Sequence, residues 1–454
     1  MRIREIDWRS PLAAFAPLAA EPFACLLHAG ERAVAPGWSI LAAFPSAHIE
    51  RRRGRTEIDG EACGNGAFET LREAHVARRG RDETHLGSPF QTGLIGFVGY
   101  ELGAETEPAA KGPPSPFAAP DLAFGAFDAT ACFDRTARRA YVVGRDDRAL
   151  RRLEEALGRE PVSEPAAVRF QPARSNFSRE EYRQAVAGAI GLIRDGAFFQ
   201  ANLSQQISTE SVDRGDPFAI FARLAEGAAP FGAFIAFEGG AILSNSPERF
   251  FSVSPDRDGW RVRAEPIKGT RRRAADAEED ARLIAELLAS GKERAENVMI
   301  ADLTRNDLSR ICEDRSILEE DICALQSGPD IHHLVSRISG RLKAGLTAAD
   351  ALRAMFPCGS VTGAPKIEAM KAIARIEKRG RGPYCGAIGY IDDRGNADFS
   401  VAIRIMIAES VGGKLRITIP VGGGVTLRSD PDAEYEETLL KARTSMNVLG
   451  LAGT

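Results

Sequence analysis

The sequence predicts an α+β fold in which mixed or antiparallel sheets are flanked by helices. Two observations carry that expectation. Strand-like runs follow one another without the crossover helix that a doubly wound parallel sheet requires. The first 160 or so residues read as short apolar runs broken by Gly and Pro clusters, whereas the rest mixes such runs with capped helical stretches. A third observation divides the chain: 454 residues exceed what one typical core serves, so two regions are expected, a β-rich 1–176 and a mixed 177–454.

In the first region strands are expected over 38–44, 93–98 and 122–127, with loops or linkers in the Pro-rich 112–120 and the polar 158–176. Ser178 followed by Glu181 is a capping-box pattern that opens a helix to about 194, and a strand-like run follows at 197–208. Further strands are expected at 232–237, 241–244, 260–265, 385–391, 397–408 and 414–421. Helices are expected at 276–289, 292–311, 347–355, 364–378 and 431–448. The last has Asp430 as N-cap and Pro431 at its first position. No internal repeat is present.

Composition excludes several classes. Hydrophobic residues at 44% and charged ones at 27% are ordinary for a globular chain. Lys plus Arg number 59 against 63 Asp plus Glu, so there is no basic excess to gather nucleic acid or an anionic membrane. No run approaches the ~18 apolar residues of a membrane span, and the N-terminus lacks an apolar core and a cleavage site, so a cytoplasmic protein is expected. Seven scattered cysteines without a Cys-x-x-Cys pair predict buried free thiols, not a disulfide framework or a zinc site.

Certain polar residues fall where a buried face belongs. Glu293 and Glu296 share a helical register with Ile300 and Leu303. On the last helix Glu434, Glu437 and Lys441 lie on one side, beside an apolar stripe of Tyr435, Leu439, Ala442 and Met446. Two acidic pairs could ligate Mg²⁺, but spacing alone favours solvated faces and an i,i+4 ion pair between Glu437 and Lys441. Gly422, Gly423 and Gly424, between a strand and that helix, could present backbone N–H groups to an anion or simply turn the chain. Arg404 interrupts a β-like run and could aim a guanidinium at a carboxylate. Lys268, between Pro266 and Gly269, is placed in a rigid turn, where it could be a desolvated nucleophile or a surface lysine.

Taken together, Ser246-Pro-Glu-Arg-Phe250, Pro266-Ile-Lys-Gly-Thr270, Glu296-Asn-Val-Met-Ile-Ala-Asp-Leu-Thr-Arg-Asn-Asp307, His333-Leu-Val-Ser336, Gly359-Ser-Val-Thr-Gly-Ala-Pro-Lys366 and Glu437-Thr-Leu-Leu-Lys441 resemble, in order, the motifs of the chorismate-utilising enzyme family. The resemblance covers most of the chain and is densest from 178 to 450. It implies a large α+β fold with a cleft that binds chorismate and one Mg²⁺. By position, Glu296 and Glu437 resemble the metal ligands, with Glu293 and Glu434 supporting them. Glu248 resembles the acid that protonates the departing C4 hydroxyl. Arg404, Tyr384, Lys441 and the Gly422–Gly424 backbone resemble the groups that hold the substrate's carboxylates, and His333 and Thr270 resemble polar contacts near its ring.

Two positions separate branches of that family. Branches that add water carry an activating lysine where this chain has Gln200, a neutral amide unsuited to that work. The anthranilate-forming branch has Ala where this chain has Lys268, which leaves C2 open to ammonia. The resemblance therefore implies amination at C4: Lys268 adds at C2, ammonia then enters at C4, and 4-amino-4-deoxychorismate leaves toward p-aminobenzoate and folate. The doublet His332-His333 and the segment Gly96–Gly103 resemble the same branch. Ammonia is expected from a separate glutamine amidotransferase subunit in a heterodimer, since no cysteine here has a glutaminase setting. Amination at C2, or a silent metabolite-binding subunit, are the alternatives. Departures from the family pattern lie at Arg271-Arg-Arg-Ala274 and around the glycine run, at Pro420-Val421 and Thr426-Leu427-Arg428.

Overall fold

The runs at 93–98 and 122–127 form strands, Gly93–Val98 and Leu122–Phe127, that pair antiparallel with every residue buried. Both faces of this ladder are covered, which explains why the runs are continuously apolar and not alternating. A computed structural model describes residues 1–35, 37–80, 86–160, 168–257 and 259–451; part of the expected linker, 161–167, lies outside them.

The strands assemble into two 12-stranded sheets. In the first, Cys25–Leu27, Phe231–Phe237, Gly240–Ser246, Ile405–Val411, Lys414–Thr426 and Gln200–Glu210 lie side by side, all antiparallel. In the second, Ile267–Arg272, Ile331–Arg341, Gly259–Ala264, Arg249–Asp256, Ala397–Val401, Ala387–Asp392 and the Gly93–Val98 ladder do the same. Each sheet takes strands from both sides of position 177, so regions 1–176 and 177–454 differ in sequence character but share their sheets.

Alternation sorts side chains between two cores. Ile235 and Ile407 join Phe97, Phe124, Phe251 and Phe399 of the second sheet in the largest cluster, while their neighbours Phe234 and Met406 join a cluster with Phe221 and Leu150 of the helices Pro217–Leu224 and Asp147–Leu157. Phe251 and Phe399 stack with ring centroids 5.2 Å apart. Truncating such a fully buried ring to Ala costs about 3–5 kcal/mol.

The expected helices form as Ala277–Ala289, Gly291–Ser309, Ala348–Met355, Lys366–Glu377 and Pro431–Val448. The capping box starts Arg179–Arg194: the Glu181 amide donates to Ser178 Oγ at 3.2 Å and the Ser178 amide to Glu181 Oε2 at 2.7 Å. The first region also holds the helices Ala67–Arg78 and Asp147–Leu157, so it is less purely β than its turn-rich sequence suggests.

Three local expectations are corrected. The run 397–408 is two strands, Ala397–Val401 and Ile405–Val411, in different sheets, because Arg404 takes a left-handed φ of 54° and breaks the extended chain. The strand expected to end at 421 continues to Thr426, so the glycine run lies in a sheet and not in a loop. On Pro431–Val448 the buried face is Glu434, Thr438, Ala442 and Ser445, while Leu439 is 37% exposed; the expected apolar stripe is displaced by a polar one.

Candidate active site

The chain crosses from the first sheet to the second between Ser246 and Arg249 and returns between Val401 and Ile405, and these crossings carry Glu248 and Arg404. The other predicted site residues gather around them.

Lys268 is in a strand, not a free turn. Ile267–Arg272 pairs with Ile331–Arg341, but the register slips between Ile267 and Thr270, and Gly269 takes a φ of 91°. That bulge needs glycine and re-aims the lysine out of the ladder. Lys268 Nζ donates to the Ser360 carbonyl at 2.9 Å, and Asn297 Nδ2, itself fixed on the Leu334 carbonyl at 2.9 Å, reaches back to the Lys268 carbonyl at 3.4 Å. Glu248 is 4% exposed. Burial raises its pKa, and nearby Ser360, the Lys268 charge and the Ile267 amide, which donates to Oε1 at 3.5 Å, only partly offset this.

Gly423 and Gly424 leave space on opposite faces of one strand. A Cβ on Gly424 would lie 2.5 Å from Gln200 Nε2 and 3.7 Å from Lys268 Nζ; one on Gly423 would lie 3.0 Å from Glu434 Oε2, 3.7 Å from Glu437 Oε1 and 3.8 Å from Lys441 Nζ. The glycine run pairs with Gln200–Glu210 on one edge, with Asn202 opposite Gly424, while the pairing with Ile405–Val411 stops at Thr418. Only one edge of Gly422–Gly424 is therefore taken by the sheet. Lys441 Nζ donates to the Gly422 carbonyl at 2.8 Å and to Glu437 at 2.6 Å.

The four glutamates meet here from two helices. Glu293 is held by Arg271 at 2.8 Å and Glu434 by Ser429 at 2.6 Å. Glu293 Oε2, Glu296 Oε1 and Glu434 Oε2 are buried without a hydrogen-bond partner. Burial raises the pKa of Glu296 and Glu434; for Glu437 burial also pulls upward, but Lys441, Lys268 and Lys292 together lower it. Orphaned carboxylate oxygens at this density suit a hard cation. Among the described residues no three His, Cys, Asp or Glu groups close into a ligand cage. An open set suits Mg²⁺, which takes one or two carboxylates and fills its shell with water and ligand oxygens.

Facing the acids is a cationic side. Arg404 Nη1 donates to the Lys441 carbonyl at 3.4 Å and makes no ion pair among the described residues; burial lowers its pKa, and Tyr384 and Glu437 act on it. A guanidinium with so few partners is prepared for a carboxylate from outside. Tyr384 is 4% exposed, and burial raises its pKa. His333 Nδ1 is 3.1 Å from Thr270 Oγ1; burial, then Arg404, lower its pKa to about 4, so it is neutral near pH 7.

Residues 27–447 match the family of chorismate binding enzymes. The chain belongs to that family. It is 36% identical to aminodeoxychorismate synthase component 1 of Klebsiella aerogenes, over 98% of each chain. It is also 34% identical to anthranilate synthase component 1 of Streptomyces coelicolor, over 87% of this chain and 80% of that one. The crystal structure of anthranilate synthase component I from Streptococcus pneumoniae superposes with a TM-score of 0.77 at 32% identity, covering 90% of this chain and 92% of that one. As a chorismate binding enzyme this protein acts on chorismate, and the α+β fold is that of its relatives.

Each predicted site residue is joined to this one network by a contact or a charge interaction. Two that sequence reasoning passed over also serve it: Ser360, whose carbonyl receives Lys268, and Asn297, which braces the bulge. Both lie inside quoted motifs, but a backbone acceptor leaves no residue-type signal. The unusual Arg271–Ala274 stretch is well anchored. Arg271 pairs with Glu293, Arg272 with Glu279 and Arg273 with Asp280, whose Oδ1 also accepts the Ala274 amide at 2.8 Å and lies 3.0 Å from His332 Nε2. Among the described residues no helix is long and apolar enough to cross a membrane.

Proposed function

We propose that the protein aminates chorismate at C4 with ammonia, giving 4-amino-4-deoxychorismate, and that a separate glutamine amidotransferase subunit supplies the ammonia. The observation that carries this reading is the bulge that aims Lys268 at Ser360, beside a buried Glu248. Lys268 Nζ, as the free amine, adds at C2 while both ring double bonds shift and the C4–O bond breaks; Glu248, whose protonated form burial favours, gives its proton to the departing hydroxyl. Ammonia then adds at C4, both double bonds shift back, the C2–N bond to Lys268 breaks, and the proton released from the new ammonium group restores Glu248 to its acid form. Arg404 and Lys441 suit the substrate's carboxylates, and neutral His333 and Thr270 the ring oxygens. Gln200, 1% exposed with Oε1 unpartnered, is an amide that cannot act as a base toward water.

Glu296 and Glu437, supported by Glu293 and Glu434, would hold Mg²⁺, which would neutralise carboxylate charge on the substrate. Incubating the purified chain with chorismate, Mg²⁺ and an ammonium salt, with the product identified by mass spectrometry, tests the reading. Aminodeoxychorismate is the expected product. Anthranilate would replace this reading with C2 amination, and no turnover under any amine supply would favour a non-catalytic metabolite-binding subunit.

A further inference from the structure

The segment Gly96–Gly103 plays no part in the chemistry above, yet its end grips the stretch that leads to Tyr384. Glu101 accepts the Arg381 amide at 2.6 Å and the Gly382 amide at 2.9 Å, and the Tyr100 amide donates to the Gly382 carbonyl at 2.8 Å. The Arg381 guanidinium, 1% exposed, lies 4.7 Å over the Tyr100 ring.

Arg381 spends its donors on three segments of the site. Nε and Nη2 reach Glu377 at 3.0 and 2.6 Å, Nη1 the Val361 carbonyl at 3.0 Å, and Nη2 the Asn202 carbonyl. Glu377 in turn accepts the Ser204 amide and hydroxyl at 2.8 and 3.0 Å. Val361 follows Ser360, whose carbonyl receives Lys268 Nζ; Asn202 is two residues from Gln200, and its amide donates to Thr362 at 2.8 Å; the Arg381 carbonyl takes the Tyr384 amide at 3.2 Å. One buried cation thus joins the segments that carry the lysine's acceptor, the amide and the tyrosine. A buried ion pair is a poor source of net stability compared with apolar packing. Its four bonds to fixed carbonyls and carboxylates instead define geometry.

We propose that Arg381, clamped by Glu377 and Glu101, is a positioning residue that sets the Ser360 carbonyl against Lys268 Nζ and holds Gln200 and Tyr384 in register with it. Its catalytic consequence rests on the proposed role of Lys268; its structural content does not. Competitive acetylation of the full chain, read by mass spectrometry, reports the surroundings of Lys268 without turnover. In Arg381→Lys and Glu101→Gln, Lys268 should acetylate roughly tenfold faster than in the parent, the factor set by one lost hydrogen bond to a charged group. Lys292 and Lys371 should keep their parental rates.

In the same variants kcat with ammonium should fall by a larger factor than KM for chorismate rises, because Arg404 and Lys441 are untouched while Tyr384 shifts. Unchanged Lys268 acetylation in a variant that melts like the parent would overturn the proposal. So would a parallel rise at Lys292 and Lys371, which reports general loosening. Should Arg381→Lys fail to fold, Glu101→Gln decides, since it leaves the buried Arg381–Glu377 pair intact. If the parent itself forms no aminated product, the amination reading fails and acetylation still decides the positioning role.

Discussion

Lys268 and Glu248 are joined at one strand: the amide of Ile267, the residue before the lysine, donates to Glu248 Oε1 at 3.5 Å, while Lys268 Nζ donates to the Ser360 carbonyl at 2.9 Å. The nucleophile and the acid of the proposed reaction are thereby held at one bulge. Lys268→Ala should abolish C4 amination or redirect it to C2, seen as a switch of product mass and retention in ammonium-driven assays. Undiminished aminodeoxychorismate from that variant would remove Lys268 from the mechanism.

Glu248→Gln should lower kcat by roughly 10²–10⁴-fold, the range for a positioned proton donor. The pH dependence has a definite sign. Burial raises the carboxyl's pKa above its usual 4.5, the acid must be protonated, and activity therefore falls as pH rises through that raised value. Glu248→Gln should lose this limb of the kcat/KM profile, and a variant that keeps it assigns the limb to another group.

A methyl group at position 424 would meet Gln200 Nε2 at 2.5 Å, so the buried amide must swing away from its place beside Lys268. Gly424→Ala should lower kcat by about 10²-fold, the scale of a misplacement near 1 Å. Melting temperature should change far less. Gln200→Lys should raise water-addition by-products, because an amine base then stands beside Lys268. An unchanged product spectrum would sever Gln200 from nucleophile choice.

Chelation should abolish turnover, with Mg²⁺ restoring it. Glu434→Gln should weaken Mg²⁺ binding by about 10–100-fold, as for groups that support direct ligands, measured by calorimetry on the free chain. Equal affinity in parent and variant would place the cation elsewhere.

His333 should cost stability in acid. Its folded pKa of about 4 lies below the usual 6.5, so its contribution is complete above 6.5 and is lost as pH falls toward 4. The loss is on the order of 1–3 kcal/mol. Urea unfolding at pH 7 and pH 4.5 should show a smaller drop for His333→Asn than for the parent; equal drops would refute it.

What the sequence determined by itself was local or carried by motif. Capping residues and short apolar runs placed the helices and most strands, because Ser178–Glu181 and the Gly93–Val98 run act over a few residues. Residue types in order named the family and the side chains of the proposed reaction, but not Asn297, which braces the bulge. Only the tertiary structure decided how those pieces act together. That the glycine run belongs to a strand, that Arg404 marks a sheet crossing, and that Ser360 and Arg381 brace the site all depend on partners far apart in the chain. Backbone carbonyls are present at every residue, so no composition signals which one a distant lysine or arginine will find. Folding alone selects it, by bringing the two sheets together so that buried polar groups find distant backbone partners.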